Sequence, residues 1–249
     1  MEEDLPHTLE RSVLIQADPP TVFRFFTDST RWARWWGTGS SIEPRTGGRV
    51  LICYPNGARA SGEVLDIEAP ERLVFSFGYE SGSPIAPGRS RVAIRLEPQP
   101  PGTRLHLRHS FAEAAVRDQH LQGWRFQLSL FANAVAEEVY ANAAAVVDAW
   151  FEAWTLADEA ARRAAFARIA LPGVRFSDRY GALESVEDVV EHAGATLRFM
   201  PGASLKRDGR IRHCQGSVLA NWTSSASNGT NLFVLAPDGR IAAVVGFQG

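Results

Sequence analysis

The sequence predicts an α+β protein built as two domains, and three observations carry that expectation. Short stretches of alternating apolar and polar residues recur between turn residues in both halves, the pattern of half-buried strands. A long stripe of apolar residues spaced three and four apart runs through the middle of the chain, the pattern of amphipathic helix. The 249 residues, 45% hydrophobic and 22% charged, suffice for one large core or two modest ones.

The first half begins with "TLERSVLIQA", in which Leu9, Val13 and Ile15 share one parity, as on a strand. In "DPPTVFRFFTD" Asp18 suits a helix N-cap and Pro19 the first turn. "RWARWW" follows as a second short helix, with Trp32, Trp35 and Trp36 at i, i+3 and i+4 on one side. "GRVLICY", "ASGEVLDI", "RLVFSF", "SRVAIRL" and "TRLHLRHSF" then read as an antiparallel meander. "SFAE" has the form of a capping box, Ser110 to Glu113. Behind it the stripe runs through Leu121, Trp124, Leu128, Phe131, Val135, Val139, Ala143, Val147, Trp150 and Trp154.

Between Gly123 and Gly173 stand one proline and no glycine, so helix passes almost directly into helix, with a break expected near residues 138–143. The second half continues with "AAAVVDAWFEAW" and "DEAARRAAFARI", then a strand "VRFSDRY", then a helix capped by Ser185 with Asp188 three residues on. Its end is all strand, and Asp208-Gly209 and Asp238-Gly239 carry hairpin signals.

Composition narrows the function classes. A formal net charge of −2 gives no basis for nucleic acid or an anionic membrane as partner. Lys206 is the only lysine among 26 basic residues, a bias that reads as genome composition. Cys53 and Cys214 lie too far apart to suggest a disulfide framework and fit a reducing cytosol. The acidic start "MEEDLPHTLE" has no apolar run of the kind a signal peptide needs, and no apolar run approaches a membrane span. P-loop, GxGxxG, HExxH, CxxC and GxSxG motifs are all missing, and no metal site or cofactor is expected.

The first half, residues 8–138, resembles the START-like (SRPBCC) superfamily, in the branch of homologues of the heat-shock-protein-90 ATPase activator. "ADPPTVFRFFTD", "RWARWWG", "GGRV", "GEVLDIEAPERLVFSF", "LHLRHSF" and "HLQGWRFQLSLFANAV" carry the resemblance in family order. It implies a helix-grip fold, a curved antiparallel sheet around a long C-terminal helix with a cavity for an apolar ligand. Most bacterial members of this branch have no assigned reaction. Residues 139–249 look like the nuclear-transport-factor-2-like superfamily, in its SnoaL-type, polyketide-cyclase-like branch, through "VVDAWFEAW", "VRFSDRYG", "VEDVVEH", "VLANWT" and "APDGRIAAVVGF". That resemblance implies a cone-shaped α+β barrel with an interior pocket, and a homodimer through this C-terminal domain. The domains expected are thus 1–138 and 139–249.

Two sets of side chains stand out. Trp32, Trp35 and Trp36 are either core or the wall of a ligand cavity, with Arg31 and Arg34 solvated or clamping an anion. His109 shares parity with Leu105, Leu107 and Phe111, so it points with the apolar face, either as a satisfied core histidine or, with Phe111 and Trp124, as a ligand contact. His120 is expected to face solvent. In "VRFSDRY", Asp178 and Tyr180 share parity with Val174 and Phe176 and are expected inside the second domain. There burial would raise the aspartate pKa and fit it for general acid–base work. His213 and Trp222 complete that candidate pocket; a carboxylate held by Arg175, Arg179 or a backbone N–H is the alternative. Binding of a small, mainly apolar molecule in the START-like cavity is the leading functional expectation. A cofactor-free cyclase, isomerase or dehydratase using Asp178, Tyr180 and His213 is the second, and a chaperone-partner module the third.

Overall fold

The computed structural model describes residues 5–200, 202 and 204–249. The chain forms two compact units, divided between Val135 and Ala136. The α+β architecture expected from the sequence is present in both.

The first unit opens with β1 (His7–Ile15), α1 (Pro19–Thr27) and α2 (Ser29–Trp36). Asp18 caps α1 by accepting the Thr21 N–H at 2.9 Å, and Asp28 caps α2 by accepting the Arg31 N–H at 2.9 Å. Six strands follow: β2 (Ser41–Ile42), β3 (Arg49–Cys53), β4 (Arg59–Glu68), β5 (Arg72–Tyr79), β6 (Ser90–Gln99) and β7 (Gly102–Phe111). With β1 they make one antiparallel sheet in the order β1-β7-β6-β5-β4-β3-β2. The long helix α3 (Ala114–Val139) comes next. The capping box expected at Ser110 does not form, because β7 runs on to Phe111 and Ser110 pairs with Thr8 on β1.

The second unit contains α4 (Ala143–Ala153), α5 (Glu159–Ile169), β8 (Ala170–Ser177), β9 (Ala182–Leu183) and α6 (Val186–Phe199). The last four strands are β10 (Leu205–Cys214), β11 (Ser217–Ser224), β12 (Asn228–Leu235) and β13 (Ile241–Gln248). The helical stripe breaks at residues 140–142, between α3 and α4. The sheet order is β10-β11-β12-β13-β8-β9, and β13 pairs with β8 in parallel. Ser185 caps α6 as its sequence indicates, accepting the Asp188 N–H at 3.1 Å. Asp238-Gly239 makes the β12–β13 turn, with Gly239 at φ +83°. Asp208-Gly209 does not make a hairpin: it sits within β10 at an irregularity of the register, with Gly209 at φ +73°, a bulge in place of a turn. No described helix is long and apolar enough to cross a membrane.

Val147, Trp150, Phe151, Phe166, Val190, Phe233 and Val244 form the second core. One charge lies among them. Arg162 on α5 is buried, and its guanidinium donates to the carbonyls of Val190 (3.1 Å), Leu156 (2.6 Å) and Ala157 (3.3 Å). Gly194 on α6 makes the room: a Cβ there would lie 2.5 Å from Arg162 Nη2. Arg162 thereby ties α5, α6 and the α4–α5 connection together. Replacing Arg162 with Met keeps the apolar stem but leaves those carbonyls without their donor, at a cost of about 2–3 kcal/mol. Urea denaturation should show that loss in the transition of the second unit.

Candidate functional site

In the first unit, the tryptophans of α2 are core. Trp32, Trp35 and Trp36 are all at least 96% buried, and two of the indoles have backbone acceptors, Trp32 to Leu51 O (3.1 Å) and Trp35 to Phe25 O (3.3 Å). Phe131 of α3 stacks on Phe26 at 4.7 Å and meets Trp35 edge-on at 5.0 Å. The space between sheet and helix is here taken up by the protein's own rings, whose edge-to-face contacts add to the burial of large apolar surface. Arg31 and Arg34 lie over the Phe25 ring at 6.0 and 5.6 Å, and Arg31 pairs with Asp28 at 3.2 Å.

His109 is fully buried between sheet and helix, against Phe111 at 3.9 Å. The Trp124 indole donates to His109 Nδ1 at 2.9 Å. An indole N–H can only donate, so Nδ1 is bare and the neutral ring carries its proton on Nε2. Nε2 donates to Ser90 Oγ at 2.9 Å, and Ser90 donates to Phe77 O at 2.8 Å. Both ring nitrogens of His109 are thus satisfied within the protein. His120, expected toward solvent, is buried: it lies on the sheet-facing side of α3, 5.5 Å from the His109 ring. Its Nδ1 donates to Val116 O at 2.8 Å, and Nε2 receives the Tyr79 hydroxyl at 3.4 Å. Tyr54 hydrogen-bonds Tyr79 in turn.

Burial pushes the pKa of His109 well below the usual histidine value, with His120 adding to the effect. Burial lowers His120 too, partly offset by its bond to Val116. Burial raises the Tyr54 and Tyr79 hydroxyls. Both histidines therefore bind fewer protons folded than unfolded, and stability present near neutrality is lost as pH falls below the unfolded value of about 6.5. The loss should approach about 1.4 kcal/mol per pH unit for each histidine that stays neutral. Thermal unfolding between pH 7.5 and 5 should show it in the first unit, and His109→Asn, less stable at neutral pH, should have the shallower slope.

The second unit has a cavity of about 550 Å³ that opens to solvent past Tyr180, Phe199 and Met200. Trp150, Phe151, Trp154, Phe176 and Trp222 form much of its wall, with α6 contributing His192 and Thr196. The parity of the sheet explains which strand residues reach it. β11, β12 and β13 align Ala220 with Asn231 and Asn231 with Gly246, and the parallel partner of Val244 is Phe176. Asp178, two residues beyond Phe176, comes beside Gly246 on the same side.

Asp178 lines this cavity in the second of the two settings the sequence leaves open, held by backbone N–H groups. β8 stops at Ser177, and the chain turns so that Asp178 Oδ1 accepts the N–H of Tyr180 (2.8 Å) and of Gly181 (2.9 Å). The carboxylate is half-buried and held by backbone amides. Because the strand has ended, its alternation does not extend to Tyr180, which is 66% exposed at the rim under the Arg179 guanidinium at 5.4 Å. His213 is not brought to the cavity. It packs on Tyr140 at 5.4 Å, and its Nε2 accepts the Gly216 N–H at 3.0 Å, closing the β10–β11 turn. Burial lowers its pKa, with Glu137 opposing. Trp222 does line the cavity, lying so close over Gly229 that a Cβ there would come within 2.6 Å of its ring.

Most of the wall was not singled out from the sequence, Asn231 and His192 included. Asn231 precedes Phe233 and Leu235 by even steps, so alternation along β12 would have found it. His192 follows Val189 by one helical turn on α6, a spacing that carries no functional mark. The Trp154 indole N–H is buried with no acceptor among the described residues. Among the described residues no group of three His, Cys, Asp or Glu side chains could hold a metal ion.

Fold and cavity define a chain of two α+β units, the first with a tryptophan-rich core and the second with an aromatic-walled cavity. Residues 16–136 match the family model of "Activator of Hsp90 ATPase homolog 1-like protein". Among solved structures, a protein from Mesorhizobium loti is 22% identical, with 52% of this chain and 96% of that one covered and a TM-score of 0.47. CalU16 from Micromonospora echinospora is 28% identical over 53% of this chain and 76% of its own, TM-score 0.41. A putative isomerase of the SnoaL-like family from Agrobacterium tumefaciens str. C58 is 20% identical over 45% of this chain and 98% of its own, TM-score 0.41. No curated protein matches the chain. The N-terminal half thus resembles the family of that model.

Proposed function

We propose that this chain binds a small, mainly apolar molecule in the cavity of its second unit, in the cytosol. The supporting observation is an open-mouthed cavity of about 550 Å³ whose wall includes Trp150, Phe151, Trp154, Phe176 and Trp222. Such a space takes apolar guests well, since burying apolar surface contributes about 25 cal/mol per Å². This moves the leading site from the first unit, where sequence resemblance alone would put it, to the second. A homodimer through the outer face of the second sheet belongs to the same reading, supported by the alignment of Leu219, Leu232 and Val245 there.

A second reading, cofactor-free proton transfer on such a guest, is supported by Asp178. Both amide N–H groups meet Oδ1, and Oδ2 has no partner among the described residues. Asp178→Asn should then abolish turnover while leaving guest affinity within about threefold.

Fluorene, a flat hydrocarbon, is a suitable probe for the binding reading. Equilibrium dialysis should show saturable uptake of one fluorene per chain. Thr196→Phe, which fills the cavity from α6, should weaken that uptake by about tenfold or more at unchanged helical content. Uptake that Thr196→Phe does not alter would place the bound fluorene elsewhere and defeat the reading.

A further inference from the structure

The cavity wall contains a hydrogen-bond donor whose direction can be fixed from chemistry. Asn231 is 94% buried and lines the cavity. The Trp222 indole Nε1 lies 2.9 Å from its Oδ1. An indole N–H has no lone pair to offer, so the amide atom facing it must be the oxygen and not the nitrogen. The Asn231 amide is thereby held in one sense, and its Nδ2 meets no acceptor among the described residues. A primary amide carries two N–H donors, and this one is not sealed off like the Trp154 indole but accessible in the cavity wall, where a guest's acceptor can take it.

The neighbourhood is arranged to let a guest reach that nitrogen. Gly246 is aligned with Asn231 across the sheet, and a Cβ at Gly246 would lie 3.3 Å from Asn231 Oδ1 and 3.2 Å from Asp178 Cβ. Asn231 and Asp178 therefore flank a glycine in a wall that also carries Trp150, Trp154, Phe176 and Trp222. Trp222 itself can approach only because Gly229 stands beneath it. One glycine admits the indole that fixes the amide, and the other leaves open the wall between amide and carboxylate.

We infer that Asn231 selects the guest: its Nδ2 donates to an oxygen acceptor on the apolar molecule, and Trp222 is the positioning residue that keeps the amide turned that way. The inference rests on the binding reading above and adds a polarity requirement to it. A hydrocarbon that fits the space is held less well than the same skeleton bearing a carbonyl oxygen.

The matched pair fluorene and 9-fluorenone differs by one carbonyl in place of a methylene, and equilibrium dialysis of both against the full chain is the test. The wild-type protein should prefer 9-fluorenone by about threefold to tenfold, the range of one net hydrogen bond. Asn231→Asp keeps an oxygen for Trp222 but removes the donor, and Trp222→Phe lets the amide turn; each should erase most of that preference. The infrared carbonyl stretch of bound 9-fluorenone should fall in frequency in the wild type and return toward its apolar-solvent value in both variants. A variant that merely disturbed packing would weaken both probes alike and leave the stretch unmoved. Equal affinity for the two probes, or a preference that survives in Asn231→Asp, overturns the role of Asn231 while leaving an apolar cavity. Uptake of neither probe overturns the cavity reading along with it.

Discussion

The parallel pairing of β8 with β13 is the constraint on which the second unit turns. It brings a strand from the helical part of the unit alongside the terminal meander, and its register puts Phe176 beside Val244. Because strand side chains alternate, that one alignment decides that Asp178, Gly246, Asn231 and Trp222 look inward while Leu219, Leu232 and Val245 look outward. A shift of one residue would exchange the two sets and turn the polar end of the cavity out of it. The cavity is a consequence of register before it is a consequence of any particular side chain.

The two units answer the same geometric problem in opposite ways. Each sets a sheet against helices and leaves a space that must be filled or kept. In the first, three tryptophans from one helical turn, together with Phe25, Phe26 and Phe131, fill it. Several polar groups there are paired with one another, in the chain from Trp124 through His109 and Ser90 to Phe77. In the second, large rings stand around the wall, but glycine occupies two of the inward strand positions. Packing at crystal-like density is the rule inside proteins, and at these glycines it holds: the Trp222 ring closes on Gly229, and Asp178 and Asn231 close on Gly246.

The sequence is informative about the fold because alternation and helical stripes depend on neighbours in the chain. The caps at Asp18 and Ser185 and the turn at Gly239 are local chemistry and are found where their motifs stand. The site is less legible. Parity brings Asp178 and Trp222 to the cavity, but it cannot tell where β8 ends, so it carries Tyr180 inward when the chain has already turned. It aligns His213 with inward residues, and the register does set His213 opposite buried Val218, but at the turn end of β10, where the ring packs on Tyr140 and serves the turn. His120 shows the same limit on a helix, where the buried side depends on which sheet strands the helix meets. Asn231 carries no motif; its meaning comes from an indole nine residues earlier that only the folded sheet brings against it.

The irregularity at Gly209 has a consequence of a different kind. β10 is the last strand in its sheet, and such a margin offers a row of unpaired amides and carbonyls to any other extended chain. Here the margin is kinked by an extra residue and studded with Lys206, Arg207, Asp208, Arg210 and Arg212, and Arg207 is tethered at 2.6 and 2.8 Å to Asp148 on α4. A cavity forgoes the contacts that a filled core would make, and a loosened sheet is the one that recruits another. The crooked, cationic border is therefore a guard against fibrous self-association, placed in the same unit as the void.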